Sequence, residues 1–579
     1  MPQIPVNQSA SPYSTLVLGQ MPRLLSQIDR NPFSPTYGCG DRAYWHYRTM
    51  TDYAAPLHQE VALTLALVWQ QQRDGNPYWQ SESLCEIACA VMRFWCTLQQ
   101  GDGSFPEFYP AERSFVATAF TGYAISETLL ILSGKVERLE REKLLVALSL
   151  AADWLHRHRD IKVVNHTAGA IAMLQNMKLL TSEPRYDDYR AAKVEDLLDH
   201  QHEEGWFYEY GGADLAYLSM SVDYLAKDYR HSRDERLGQA LAKALDFMRH
   251  FLHPDGSFGG EYGSRNGKYL MPHGLELLAA EMPAAAQLAR AHAAALTLGK
   301  VLSPASMDDR YTAFFLNKYA AAWADQATWA DPAEEMHRES RFFPGAGLLV
   351  QANSASYTII ALSKHGVIKS YSSGEATDPK ALYSDTGYFA EFADGTVGHS
   401  QWLDLDAEYK IWEEGETMNI EVVEQMAHFN TTLPLVRNLI PFRLFTKVMG
   451  RFSRFMDWFG SRVIKRMIID RRLLPVQLLR HIRLESGAIV ITDRLELLGG
   501  KRLVRLGRSV DGTAIHVASS RYAQEADREV PGAWDAPAEF IGLLNRGQAV
   551  EVVTRVEFGS AEVNPMIEWT EQEKKVAVA

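Results

Sequence analysis

The chain has 579 residues, 46% hydrophobic and 23% charged, an ordinary globular composition on a chain too long for a single core. A formal net charge of −13 argues against nucleic acid as the main partner, because neutralising phosphates needs a basic surface. It leaves an acidic substrate open, since a local basic cleft can sit on an acidic protein.

No run of 18 or more apolar residues occurs, so no membrane span is expected. The start, MPQIPVNQSASPYSTLVLGQMPRLL, lacks a basic stretch followed by an apolar core, which reads as no secretory signal and a cytoplasmic location. Four cysteines are too few for a disulfide scaffold, and Cys85, Cys89 and Cys96 read as core thiols with no fourth metal ligand.

From about residue 55 to 328 the chain reads as helix after helix, among them HQEVALTLALVWQQQ, SLCEIACAVMRFWCTLQQ, REKLLVALSLAADWLHRH and LGQALAKALDFMRHFL, with apolar residues at helical spacing. After about residue 340 it turns to short β-branched runs broken by Gly, Asp and Asn, such as GLLVQANSASYTIIALSKHG and HIRLESGAIVITDRLEL, which read as strands and turns. Helices followed by strands imply a helical domain over 1–337 and an antiparallel β-sandwich over 338–579.

The helical half repeats. LQQGDGSFPEF, HQHEEGWFYEY and HFLHPDGSFGGEY centre on Asp102, Glu204 and Asp255, and 204 and 255 are 51 apart. The same period places further loops near 51, 153–160 and 306, hence six helical hairpins. A closed ring of hairpins covers its own ends, whereas an open solenoid needs caps, so an (α/α)6-like toroid is expected with all six loops on one rim.

The loops carry more polar and aromatic side chains than a core needs. Asp41, Arg42, Tyr44, Trp45 and His46, then His58 and Gln59, flank the first loop, and Glu107, Glu112 and Arg113 lie in the second. Asn165 and His166 follow the third, and Trp206, Tyr208, Tyr210, Asp214 and Tyr217 lie about the fourth. The fifth offers Arg265, Asn266, Tyr269 and His273. Aromatic rings beside hydrogen-bonding groups suit sugar rings, so these are candidate substrate contacts.

One chemistry uses this set without a metal or cofactor. In β-elimination from a uronic acid, the proton α to the carboxylate is weakly acidic, and donors on that carboxylate stabilise the developing charge. Asn165, His166 and Arg265 are suitable donors. A tyrosine then removes the proton and returns one to the leaving oxygen, with Tyr217 the first candidate and Tyr210 the second.

The chain resembles polysaccharide lyases that join an (α/α) toroid to an antiparallel β-sandwich, the heparinase II/III-like and chondroitin AC/hyaluronate lyase-like group. The resemblance rests on the order Asn165-His166, Tyr217 and Arg265-Asn266, with steps of 52 and 48 residues. It implies Asn or Asn-His on the carboxylate, Tyr as base and acid, and Arg from the next repeat. The group's early sandwich element H-x-D-x-x-S-F is missing here, which leaves His399 and His365 as the nearby candidates for its His.

Residues 433–483 interrupt the β-rich half with helical spacing and carry twelve Lys/Arg against Asp457 and Asp470. Three readings fit this basic helical insertion: an amphipathic pair on an anionic membrane, a basic wall guiding a polyanionic glycan, or an insert packed on the toroid. Beside the lyase, two other functions fit the chain. A toroid glycoside hydrolase would draw on Glu107, Glu209, Asp214 and Glu261, and a non-catalytic glycan-binding protein of exopolysaccharide assembly needs no acid or base.

Overall fold

The computed structural model describes residues 11–48, 51–160, 163–327, 339–372, 381–429, 436–450, 452, 455, 472–510, 533–558 and 566–571. Its first half is six helical hairpins. In the first, α1 (Pro12–Gln27) leads through the short α2 (Arg42–Trp45) to α3 (Val61–Gln70). The second and third pair α4 (Glu82–Leu98) with α5 (Phe115–Ile131) and α6 (Arg138–Arg157) with α7 (Val164–Thr181). The fourth and fifth pair α8 (Arg185–Leu198) with α9 (Leu215–Ser232) and α10 (Glu235–Arg249) with α11 (Pro272–Leu278). The last pairs α12 (Pro283–Thr297) with α13 (Asp309–Ala324).

The second helix of each hairpin is the inner one. Helices α3, α5, α7, α9, α11 and α13 each touch the next, α13 returns to α3, and α1 packs on α13, so the ring closes. Burial follows from that position: α5 and α7 are buried almost all round, whereas the outer helices α4 and α10 bury one stripe. The repeat positions near 51, 102, 204, 255 and 306 fall in the connections that enter an inner helix, on one rim, and 153–160 spans the end of α6 and the start of its connection. Gly103 and Gly205 show why the rim loops keep glycine. Both have φ near +100° (99° and 104°), and a Cβ at either would collide with a backbone carbonyl of the next outer helix, at Leu150 or Lys243.

The axis of the ring is filled, not open. Phe120 stacks on Tyr224 at 4.7 Å and on Phe314 at 5.5 Å, and below them the fully buried Lys318 lies 3.5 Å from Glu60. At the far end a cavity of about 190 Å³ is lined by Glu127, Lys227, Arg230, His273, Asn317 and Asp325.

The second half is two antiparallel sheets. Strands β1 (Arg341–Phe343), β2 (Leu348–Ala352), β3 (Ser356–Ala361), β4 (Val367–Ser372) and β5 (Ala381–Asp385) pair in sequence order. The larger sheet takes β6 (Tyr388–Phe392), β7 (Val397–His399), β8 (Tyr409–Glu414), β9 (Thr417–Phe429), β10 (Leu473–Glu485), β11 (Ala488–Leu497), β12 (Leu503–Arg508), β13 (Trp534–Asp535), β14 (Val550–Glu557) and β15 (Met566–Glu571). Its order is β13-β12-β6-β7-β9-β10-β11-β14-β15, with β8 also on β9, and α15 (Ala538–Asn545) covers one end. One face of the five-stranded sheet packs on the toroid through Leu348, Val350, Tyr357, Ile359 and Tyr371. Its other face meets the larger sheet through Leu349, Ile360 and Ile368 against Ile420, Ile482 and Ile491.

The basic stretch 433–483 is not helical throughout. Helix α14 (Val436–Met449) covers its first part, and 473–483 belongs to β10, whose side chains alternate between buried and half-buried. There the period of two, Leu474, Val476, Leu478, Arg480, Ile482, decides the structure. Residues 453–454 and 456–471 lie outside the described residues. Among the described residues, no helix is long and apolar enough to cross a membrane.

Arg480, counted with the basic face, is instead fully buried. It donates to Asp493 Oδ1 at 2.7 Å, to Asp385 Oδ2 at 2.9 Å and to the Gly366 carbonyl at 2.8 Å. Removing one partner of such a set strands the others in a dry core. Arg480→Met is expected to lower stability by about 3–5 kcal/mol, read as an earlier urea midpoint with an unchanged slope.

Candidate active site

The rim gathers the candidate residues at the starts of adjacent inner helices. Asn165 is the second residue of α7; its backbone N and Nδ2 donate to Glu209 Oε1 and Oε2 at 2.9 and 3.0 Å. Its own Oδ1 is buried without a hydrogen-bond partner. Glu209 is fully enclosed, and burial pushes its carboxyl well above the usual carboxylate range despite the two N–H donors. His166 is held by Asp160, Nδ1 to Oδ2 at 3.0 Å, and meets Phe120 edge-on.

Tyr217 is the third residue of α9, half-buried, with its ring edge-on to Tyr269 at 5.9 Å and Tyr210 at 6.4 Å. Asp214 caps this helix: Oδ1 accepts from the N–H groups of Ala216 and Tyr217, both at 3.1 Å. Oδ2 accepts from Arg265 N at 2.9 Å and Gly267 N at 3.3 Å, in the loop of the next repeat. Arg265 places its guanidinium 3.9 Å from the centre of the Tyr210 ring, and its Nε is buried without an acceptor. Burial dominates at Tyr210 and pushes its hydroxyl up, while Arg265 pulls the other way.

A second group comes from the loop before α5 and the first turn of α13. Arg310 reaches Glu107 at 3.1 Å, Ser114 Oγ donates to the same carboxylate at 2.9 Å, and Arg113 pairs with Asp102 at 2.6 Å. Helix α14 docks on this side. Phe442 meets Tyr109 edge-on at 5.3 Å, Lys447 binds Asp52 at 3.0 Å, and Arg443 lies over the Tyr53 ring at 5.7 Å with Nη1 buried and unpartnered. The opposite face of α14 leaves Ile440, Leu444 and Val448 exposed.

Several side chains named from the sequence have structural work instead. Gln59 is fully buried and ties Gly38, Gly40 and Val91 together through its amide. Trp45 donates to the Gln27 carbonyl, and with Tyr44 packs on Cys39, Ala54 and Phe94. Trp206 is fully buried and bonded to Glu204, which accepts from the backbone of Gly345 and Ala346 at the seam with the β-half. Asn266 is buried in that seam against Gln401 and Lys364.

Tyr269 is buried beneath Tyr217, against Phe315. His273 points to the far cavity, 2.8 Å from Asp325, because it opens α11 with its ring turned down the ring axis, away from the rim. His58 is buried beside Asp41, while Arg42, His46 and Tyr208 remain at least partly exposed. His399 is buried on β7 against Phe429, and burial with the neighbouring Lys364 holds it at about 3, so it is neutral. His365 pairs with Glu424 at 2.6 Å.

Asp160, Arg310 and Lys364 are further polar residues that the fold brings to this rim, from three separate stretches. Arg310 had a signal in the sixth repeat position; Lys364, in a turn of the β-half, had none.

Glu112 accepts from the N–H groups of Glu107 and Phe108, and burial together with the Glu107 carboxylate raises it to about 7. A carboxyl raised on folding contributes stability in acid that is lost as pH climbs from its unfolded value toward 7. Glu112→Gln is therefore expected to match the wild type in melting temperature near pH 4 and exceed it above pH 7. Equal melting curves at both pH values would count against that burial.

Residues 80–293 match the family model of the ulvan lyase N-terminal domain. No curated protein matches the chain. Among solved structures it is similar to the Streptomyces coelicolor A3 chondroitin AC lyase in complex with chondroitin sulphate, at 11% identity and TM-score 0.50, covering 97% of this chain and 80% of that one. A Paenibacillus xanthan lyase is similar at 10% identity and TM-score 0.50, over 98% of this chain and 56% of that one. Part of its helical half is matched by a lyase family model, and nearly its whole length is similar in fold to these two lyases, an (α/α) toroid joined to antiparallel β-sheets.

Proposed function

We propose that this chain is a polysaccharide lyase that cleaves a uronic-acid-containing acidic polysaccharide by β-elimination, with Tyr217 as base and acid. The observation that carries the reading is the meeting of Asn165, Tyr217 and Arg265 at neighbouring entries to the ring, with Arg265 Nε buried and lacking an acceptor. A buried donor without a partner costs about 1–3 kcal/mol, and a substrate carboxylate supplies the acceptor.

The carboxylate is bound by Arg265 Nε, the second N–H of Asn165 Nδ2 and the His166 ring, which Asp160 orients. Glu209 fixes the Asn165 amide by its two bonds. Tyr217, ionised, takes the proton from C5; the electron pair forms the C4=C5 bond as the C4–O bond breaks, and the phenol returns the proton to the leaving oxygen. The carboxylate's donors stabilise the charge that develops between these events. Arg443 on α14 offers a further donor for an acidic chain, which supports a polyanion over a neutral glycan.

A screen of uronate polysaccharides read by ultraviolet absorbance tests the reaction, because the conjugated C4=C5 product absorbs and no water is consumed. Tyr217→Phe is expected to abolish the signal with an unchanged circular dichroism spectrum. Asn165→Ala is expected to lower kcat by about a hundredfold or more, the scale of a lost oxyanion donor. Retained turnover in Tyr217→Phe refutes the assignment of the base, and new reducing ends without absorbance point to a hydrolase.

A further inference from the structure

We propose that Lys364 is a positioning residue of the site: a cation from the β-half that grips the 261–266 loop and so holds Arg265 in register with Tyr217. This rests on the reading of Arg265 and Tyr217 above.

Lys364 ends the 3₁₀ turn Leu362–Lys364 that follows β3, and it is 1% exposed. Its Nζ donates to the carbonyl of Glu261 at 2.6 Å, to the carbonyl of Gly263 at 3.1 Å and to Asn266 Oδ1. Burial pushes Lys364 down to about 7, against the pull of the Glu261 and Asp214 carboxylates; in its ammonium form it has three N–H donors, and all three go to one loop of the toroid. The Glu261 carboxylate is engaged by Lys268 and lies 3.8 Å from Lys369. Lys364 is thus solvated mainly by neutral oxygens, as a bound cation would be, and these oxygens converge only when the loop has its present shape. Asn266 adopts the left-handed region, φ 57°, to bring its side chain in.

The same loop is held on its other side by amides. Arg265 N and Gly267 N donate to Asp214, which also caps the Tyr217 helix. Carbonyls to Lys364 and amides to Asp214 leave the backbone on both sides of Arg265 little freedom, and the Arg265 side chain leaves this clamp to lie over Tyr210. A shift of about 1 Å in such a group is enough to cost about a hundredfold in rate. Lys364 makes no contact with substrate in this scheme; it acts through the loop.

The test uses the full chain with Lys364→Met, Lys364→Gln and Lys364→Arg. Amide hydrogen exchange at residue resolution, corrected for intrinsic rates, is expected to show about tenfold less protection at Arg265 and Gly267 in Lys364→Met, with α5 and α7 amides unchanged. On a uronate substrate, kcat is expected to fall by about a hundredfold while KM moves little. Lys364→Arg, still cationic, should restore part of both. Lys364→Gln keeps two donors and gives the same readings, at intermediate size, where Lys364→Met fails to fold. Unchanged protection at 265 and 267 overturns the clamp. Lost protection with unchanged kcat overturns its role in the reaction. A wild type that yields no absorbance on any uronate polysaccharide instead refutes the reaction, and the exchange data still decide the clamp.

Discussion

The carboxylate of Asp214 is the joint on which the rim depends. It accepts four backbone N–H groups, two from the first turn of α9 and two from the loop that precedes α11. One side chain therefore fixes the start of the helix that carries Tyr217 and the segment that carries Arg265. All four partners are backbone, so the link constrains chain path, and each side chain follows from the path. The closed ring makes this possible: consecutive inner helices enter from the same rim, and the cap of one helix lies within reach of the next repeat's loop.

Around that joint the charges are arranged by burial. Glu209 and Asp214 are enclosed carboxyls whose burial raises them, while N–H donors pull in the opposite direction. Lys364 approaches the same loop from the β-half. The β-half thus contributes more than a platform, because its turn after β3 reaches the loop that carries Arg265. The seam extends outward through Tyr357 on the His250 carbonyl at 2.5 Å and Tyr371 on His253 at 2.9 Å. It ties the five-stranded sheet to the fifth rim loop at several points.

Helix α14 stands on the other side of the mouth. The sandwich sits on the loops before α9 and α11, and α14 sits on those before α3 and α5, across the ring. Its basic and aromatic side chains engage Asp52, Tyr53 and Tyr109, which accounts for part of the charge asymmetry of 433–483. The exposed stripe of Ile440, Leu444 and Val448 has no account in these contacts.

The sequence alone determined the six hairpins, the common rim and the order of Asn165, Tyr217 and Arg265. Period and loop chemistry are local properties, carried by glycines such as Gly103 and Gly205 whose φ admits little else. It also set the change from helix to strand near residue 340, where the helical period gives way to short β-branched runs broken by turn residues. Tertiary structure alone decided which polar side chains face the mouth. Gln59, Trp206 and His273 sit at rim positions of the repeat, yet their directions are set by partners the period does not record: Gly38 and Val91 for Gln59, Glu204 at the seam for Trp206, and Asp325 for His273. Leu473–Glu485 became a strand because β9 and β11 supply its partners. Lys364 joined the site only through the docking of two domains, a contact between distant segments that no spacing within either one records.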